Sequence, residues 1–367
     1  MKIAVVGPAY PLRGGIAQHV YSLREHLTAR GHTLQVISYR RLYPQFLFPG
    51  RSTADTSNLK LKANALPMID ALNPATWIRA YRQIKGFEPN LIIFQWWNPV
   101  MGPVIGFLTN LLKHADLNCV IECHNVFPHE SSPVDLPITW FAFSSVTNFI
   151  VHSSSDRDMF QRQFPEKAIW IAPLPPPAGL LNRSASLRDG RHILFFGLVR
   201  PYKGLAVLLE ALPRVLARVD CKLSIVGEFY EGESEYRGLI ERLGIAGHVE
   251  IDNRYVPNEE ISSLFDRADV LVLPYLSATQ SAVARLGLRS GLPIIASDTG
   301  GLSETVAHQH NGLLVPPGDP GKLADSIIAY FNSGLGPIFA NNIRSGDAGD
   351  EDIGLIRIIE EMASQRG

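Results

Sequence analysis

The chain has 367 residues, too many for one ordinary core, and the length suits two domains. With 46% hydrophobic and 19% charged residues it is globular rather than disordered, and a net charge of −1 excludes a nucleic-acid binder that works by bulk electrostatics. Three cysteines, Cys119, Cys123 and Cys221, argue against a disulfide framework and fit a reducing, cytoplasmic compartment.

The N-terminal "KIAVVG" (2–7) reads as a buried strand, and the polar and turn residues after it do not continue as a signal peptide. "GPAYPLRGGIAQHV" (7–20) joins that strand to a helix. Gly14 and Gly15 let backbone approach a ligand there, and the helix start offers N–H groups. The loop is not G-x-G-x-x-G, and Tyr39-Arg40-Arg41 closes the second strand where a dinucleotide site has an acid; only an NADP-like variant of that reading stays open. The helix, 15–31, places Ala17, Val20, Leu23 and Leu27 on one face and ends at Gly31.

"TLQVIS" (33–38), "LIIFQ" (91–95), "NCVIEC" (118–123) and "NFIVHS" (148–153) are further strands with helical segments between them, the rhythm of a doubly wound parallel sheet. "RRLYPQFLFPGRS" (40–52) breaks that rhythm. It is a loop of cations and apolar residues, suited to an amphipathic acceptor, to a membrane surface, or to packing on its own domain. Residues 1–113 carry 13 Lys/Arg against four acids, an excess of +9. That basic arm reads either as a face for anionic lipid or ligand, or as a solvated surface. "VMGPVIGFLTNLL" (100–112) is too short to span a bilayer. In "IECHNVFPHE" (121–130), His124 stands just past a strand end, where a side chain can act on a substrate hydroxyl or simply cap the strand. His124, His129, Cys119 and Cys123 include no paired C-x-x-C, so no metal is expected.

"PLPPPAG" (173–179) cannot lie inside a helix or a central strand and reads as an interdomain hinge. The rhythm then restarts with "HILFFG" (192–197), "KLSIVG" (222–227), "HVEID" (248–252), "DVLVLP" (269–274) and "PIIAS" (293–297). In "FFGLVRPYKG" (195–204), Arg200 and Lys203 follow a strand end and Gly204 opens a helix, which suits a diphosphate and the charge developing on a departing phosphate. In "NRYVPNEE" (253–260), Tyr255 either stacks on a base or packs ordinarily, and the Val256 backbone can bond a base edge. "TQSAVARLGLRSGLPIIASDTGGLSE" (279–304) is built like a phosphate-binding corner, without an acid before Asp298. "NSGLGPIFANNIRSGDAGD" (332–350) is expected to be looped, and the closing "DEDIGLIRIIEEMA" (350–363) to be an amphipathic helix.

The order of these motifs, from "GG" after the first strand through "VRPYKG", "YVPNEE" and "ADVLVLPY" to "GLPIIASDTGGLSE", resembles the retaining glycosyltransferases of family 4 over nearly the whole chain. The resemblance implies an α/β GT-B fold of two Rossmann-like doubly wound domains facing across a cleft. It implies an acceptor-binding domain over 1–175, a donor-binding domain over 180–345, and a closing helix, 350–367, crossing back to the first. Arg200 and Lys203 match the diphosphate-binding pair, and His124 matches the histidine that contacts the donor sugar. Tyr255 and Val256 fall where the base is held, and Gly15, after Gly14, in the loop over the phosphates. The family's two glutamates fall at Ala278 and Leu286. "SATQSA" matches branches that carry S-A-T-Q-S-G instead, with Ala282 in place of the glycine. Thr279, Gln280 and Ser281 can then bond sugar or phosphate, the N–H groups of Ser281, Ala282 and Val283 open the helix towards the β-phosphate, and Gly300 and Gly301 flank the pocket.

The expected function is therefore transfer of a sugar from a nucleotide-diphosphate sugar to a glycan or lipid-linked acceptor, with retention and without a metal or other cofactor. The alternatives are a GT-B-fold protein that binds nucleotide or glycan without turnover, and a nucleotide-sugar epimerase of the same fold. The expected location is cytoplasmic, with peripheral contact to an anionic membrane and no nucleic-acid partner.

Overall fold

A computed structural model describes residues 1–42, 54–127, 132–175, 179–180, 190–230, 232–346 and 351–364. The chain divides into two compact units: residues 1–56, 60–178 and 349–367 form the first, and residues 57–59 and 179–348 the second.

The first unit runs β1 (Lys2–Val6), α1 (Gly15–Ala29), β2 (Thr33–Arg41), β3 (Leu66–Asp70), α2 (Pro74–Phe87), β4 (Leu91–Trp96), α3 (Gly102–His114), β5 (Cys119–Cys123), α4 (Asp135–Phe143), β6 (Asn148–Val151), α5 (Ser154–Gln163) and β7 (Ala168–Ile171). Its seven strands are all parallel, in the order β3-β2-β1-β4-β5-β6-β7. Central strands are buried along their length and mostly apolar, as covering on both faces requires: every residue of β4 is buried, and of its six only Gln95 is polar.

The second unit runs β8 (His192–Phe196), α6 (Leu205–Leu216), β9 (Lys222–Val226), α7 (Glu233–Arg242), β10 (Val249–Asp252), α8 (Asn258–Asp266), β11 (Val270–Leu273), α9 (Ala282–Arg289), β12 (Ile294–Ser297), α10 (Gly301–Thr305), β13 (Gly312–Val315), α11 (Pro320–Asn332) and α12 (Leu335–Ser345). Its sheet is also parallel, in the order β10-β9-β8-β11-β12-β13. The final helix, α13 (Glu351–Ser364), belongs to the first unit. Leu355, Ile356, Ile359 and Met362 enter a core with Ile3, Val5, Leu23 and Ile93. Asn118 Nδ2 donates to the Met362 carbonyl at 3.0 Å.

The expected loop over 332–350 is corrected: residues 335–345 are helix α12. Gly334, at φ 61°, supplies the turn that admits the helix, and Pro337 falls in its first turn, where its missing N–H costs nothing. Phe339 then anchors the helix in the second core. The 40–52 segment lies outside the described residues from 43 onward, as do His129 and residues 176–178 of the proline-rich stretch.

Candidate active site

In both sheets the strand order reverses once beside the first strand, between β1 and β4 and between β8 and β11. Open parallel sheets bind ligands at that switch point, beyond the carboxyl ends of the strands.

In the second unit the switch point gathers the segments after β8 and β11. Gly204, at φ 67°, lets the two meet: a Cβ there would stand 1.9 Å from the Pro274 carbonyl oxygen. Just before it, Lys203 is 8% exposed. Its Nζ lies 5.3 Å from the centre of the Tyr275 ring, and a Cβ added to Gly197 would stand 3.1 Å from it. That same Cβ would stand 3.4 Å from Val283 Cγ2, so Lys203 points to the start of α9. No carboxylate pairs with Lys203 among the described residues, and burial holds its pKa below the ordinary lysine value. The Arg200 guanidinium lies 3.7 Å from the centre of the Tyr230 ring, a cation–π stack that fixes its plane.

Helix α9 begins at Ala282 with Ser281 as its cap; Ala284 N donates to Ser281 Oγ at 3.1 Å. The Ser281 oxygen thus accepts from the helix start, which leaves its O–H as a donor. Helix geometry leaves the N–H groups of Ala282 and Val283 without an acceptor inside the helix, beside Lys203. The preceding loop is braced from behind. Gly301 N donates to the Thr279 carbonyl at 2.8 Å. A Cβ on Gly300 would stand 1.7 Å from the Ala278 carbonyl oxygen, and one on Gly301 2.5 Å from Gln280 Nε2. Gly300 and Gly301 thus serve the close packing that shapes the loop of Thr279 and Gln280. Leu286, at the family's glutamate position, is 4% exposed and apolar. Tyr255, half-buried, and Val256, buried, follow β10 at the same end of the sheet.

In the first unit the corresponding end holds a polar set that sequence reasoning missed, apart from His124. Gln95, Glu122, His19 and His152 are all buried. His19 Nε2 stands 2.8 Å from Glu122 Oε1, at ion-pair distance though off the line of a well-aligned hydrogen bond. His152 Nε2 stands 3.5 Å from the same oxygen, and its Nδ1–H donates to the Ala172 carbonyl at 2.8 Å. Gln95 Nε2 donates to Glu122 Oε2 at 2.7 Å, and its Oε1 meets His124 Nε2 at 2.5 Å. Burial would push the Glu122 carboxyl up, but His19 and His152 beside it hold it well below the usual carboxylate range. Burial, with His19 beside it, holds His124 well below its ordinary value, hence neutral.

His19, Glu122 and His124 each offer a ligand atom within 4.8 Å of the others, near enough to share a cation. The 2.8 Å gap between His19 and Glu122 is shorter than the roughly 3.4 Å between ligands on a tetrahedral ion at ~2.1 Å, and is a direct contact. The readable signals were a glutamine ending "LIIFQ" and a glutamate inside "VIEC", each a polar side chain that a central strand must bury. Gly14, at φ 112°, caps α1 and Gly15 is its first residue, and a Cβ on either would meet nothing within 4 Å.

Comparison with known proteins agrees with the two-unit α/β fold. Residues 13–175 match the model "Glycosyltransferase Family 4", and residues 190–333 the model "Glycosyl transferases group 1". An uncharacterised glycosyltransferase of Methanocaldococcus jannaschii is 24% identical over 88% of this chain and 87% of its own. A phosphatidyl-myo-inositol mannosyltransferase of Mycobacterium leprae is 25% identical over 91% and 88%. Among solved structures, HepE of Anabaena in complex with UDP superposes with a TM-score of 0.74 at 18% identity, covering 100% of both chains. Sucrose-phosphate synthase of Thermosynechococcus elongatus superposes with a TM-score of 0.71 at 17% identity, covering 99% of each.

Proposed function

Because the chain belongs to the family 4, group 1 glycosyltransferases of GT-B fold, we propose that it moves a sugar from a nucleotide-diphosphate donor to an acceptor hydroxyl, retaining the anomeric configuration. The observation that carries this reading is Lys203, a buried cation that no carboxylate pairs among the described residues, at a sheet's switch point and beside a helix start. Such a charge is costly unless an anion arrives to meet it.

In this reading Lys203, Arg200 and the N–H groups of Ala282 and Val283 hold the diphosphate and stabilise the charge that grows as it leaves. Thr279 and Gln280 bond the sugar or phosphate, Tyr255 and the Val256 backbone hold the base, and the Gly14-Gly15 loop approaches the phosphates. His124 contacts the transferred sugar. The α9 corner carries no carboxylate among its described residues before Asp298, which with the family resemblance favours a front-face displacement. The anomeric carbon–oxygen bond to the diphosphate breaks, the acceptor oxygen bonds the same face, and the acceptor proton passes to the departing phosphate. Protein cations and helix N–H groups do the work that a metal does elsewhere. The acceptor is a glycan or a lipid-linked glycan; the mycobacterial relative is named for transfer to phosphatidylinositol. The basic excess in residues 1–113 favours peripheral contact with anionic lipid.

A thermal-shift panel of UDP, GDP, ADP and their sugars identifies the donor, since a ligand of the native state raises the melting temperature. With that donor, Lys203→Ala and Arg200→Ala are expected to cut transfer 10²-fold or more, and EDTA to leave it unchanged. Full rates in both variants would remove the diphosphate assignment. The buried Leu286 supports a second reading, binding without turnover. It predicts nucleotide binding by calorimetry with neither transfer nor donor hydrolysis.

A further inference from the structure

The buried polar set of the first unit has a direction that its atoms dictate. Glu122, ionised, accepts hydrogen bonds and donates none. The Gln95 atom 2.7 Å from Glu122 Oε2 is therefore the amide NH₂, which leaves the Gln95 carbonyl oxygen facing His124. A carbonyl also accepts only, so the His124 atom 2.5 Å from it, Nε2, carries the proton. In a neutral ring Nδ1 is then the bare lone pair. Nδ1 makes no hydrogen bond among the described residues and is not among the sealed buried atoms that lack partners.

We propose that Glu122 and Gln95 are positioning residues that lock His124 as its Nε2–H tautomer, so that Nδ1 is an obligate hydrogen-bond acceptor for a hydroxyl of the ligand. The proposal rests on the glycosyltransferase reading for its ligand and specifies what His124 can recognise. A phosphate oxygen offers lone pairs and repels a bare Nδ1. A sugar hydroxyl offers a hydrogen and can still accept from elsewhere. His124 is thereby a reader of one hydroxyl, and it is neither a phosphate-binding residue nor a proton donor to the leaving group. His19 and His152 act behind it: both imidazoles face Glu122 and keep it ionised, which sets the direction of the whole chain.

The lock is read directly in the unliganded full chain by long-range ¹H–¹⁵N correlation of its imidazoles, with His124 assigned by loss of its signals in His124→Asn. The expected result is one His124 species with its proton on Nε2; a proton on Nδ1, or both tautomers together, would overturn the proposal. In Glu122→Gln the amide can face Gln95 either way, so Gln95 can flip and both tautomers should appear. The exchange Gln95→Glu with Glu122→Gln restores the direction: the new amide donates to the new carboxylate, which accepts from His124 Nε2. It should recover the single Nε2–H species, and a purely structural role for Glu122 predicts no such recovery. With the donor found in the thermal-shift panel, Glu122→Gln should lower kcat/KM at least 10-fold and the exchange should regain most of it. The tautomer is measured without ligand, so a protein that binds no nucleotide but shows Nε2–H loses the function and keeps the lock. One that binds nucleotide and shows Nδ1–H does the reverse.

Discussion

Lys203 sets a trade-off between stability and binding. Its charge is buried with no carboxylate beside it among the described residues, so the site carries an electrostatic cost that the proposed diphosphate would relieve. Lys203→Met keeps the stem and removes the charge. Denaturant unfolding should show the variant more stable than the parent by about 1 kcal/mol or more, while nucleotide no longer raises its melting temperature. The pH dependence has a defined sign. A lysine held below its ordinary value binds fewer protons folded than unfolded, so the parent gains stability as pH climbs towards the ordinary lysine range, and Lys203→Met does not. The polar set of the first unit acts at the acid end. His124 is held low as a base, so stability falls once pH drops below the unfolded histidine value of about 6.5. Glu122 is held low as an acid, so a second loss begins below the unfolded glutamate value of about 4.3. Melting temperatures from pH 8 to 3 should fall in these two stages, and Glu122→Gln should shrink the lower one, the rest of it belonging to other carboxylates held low, Asp70 and Glu259 among them.

At the scale of elements, the glycines of two loops do different work. Gly204 sits at φ 67° with the Pro274 carbonyl where a Cβ would go. Gly204→Ala must open the switch point and move Lys203, costing about 2 kcal/mol or more and with it the nucleotide-induced rise in melting temperature. A Cβ at Gly15 meets nothing, so Gly15→Ala should change stability by less than about 0.5 kcal/mol, and any loss of transfer there reports contact with ligand. The same physics explains which elements were legible. Central strands such as β4, β8 and β11 announced themselves as apolar runs because both faces are covered. The strands that sequence reading passed over, β3, β7 and β13, all lie at sheet edges. β3 is half-exposed and holds Pro67, which an edge tolerates and a central strand does not. The cation corner was legible because Arg and Lys after a strand end are unusual there. The Gln95–Glu122–His124 chain was not, because Gln95 lies 27 and 29 residues before the other two and only the pairing of β4 with β5 brings it to them.

For the whole molecule, the two units differ in how they depend on the C-terminus. The second unit has a core of its own, built from residues between Ile193 and Phe339, and Lys203, Tyr275 and the start of α9 all lie within it. The first unit borrows α13 from the far end of the chain: Leu355, Ile356, Ile359 and Met362 are at most 3% exposed within its core. At about 1.5–3 kcal/mol for each buried side chain, removing the four forfeits roughly 6–12 kcal/mol, comparable with the ~5–15 kcal/mol that holds a domain folded. A chain ending at residue 348 should therefore lose the first unit and keep the second. Two readouts separate these outcomes. Calorimetry should show the cooperative transition of the first unit gone and that of the second retained, and the second should still shift upward with the nucleotide found for the full chain. Transfer should be absent, since His124 belongs to the unit that has melted. A truncated chain that keeps both transitions would mean that α13 is dispensable to the sheet it covers; one that loses both would mean that the second core does not stand alone.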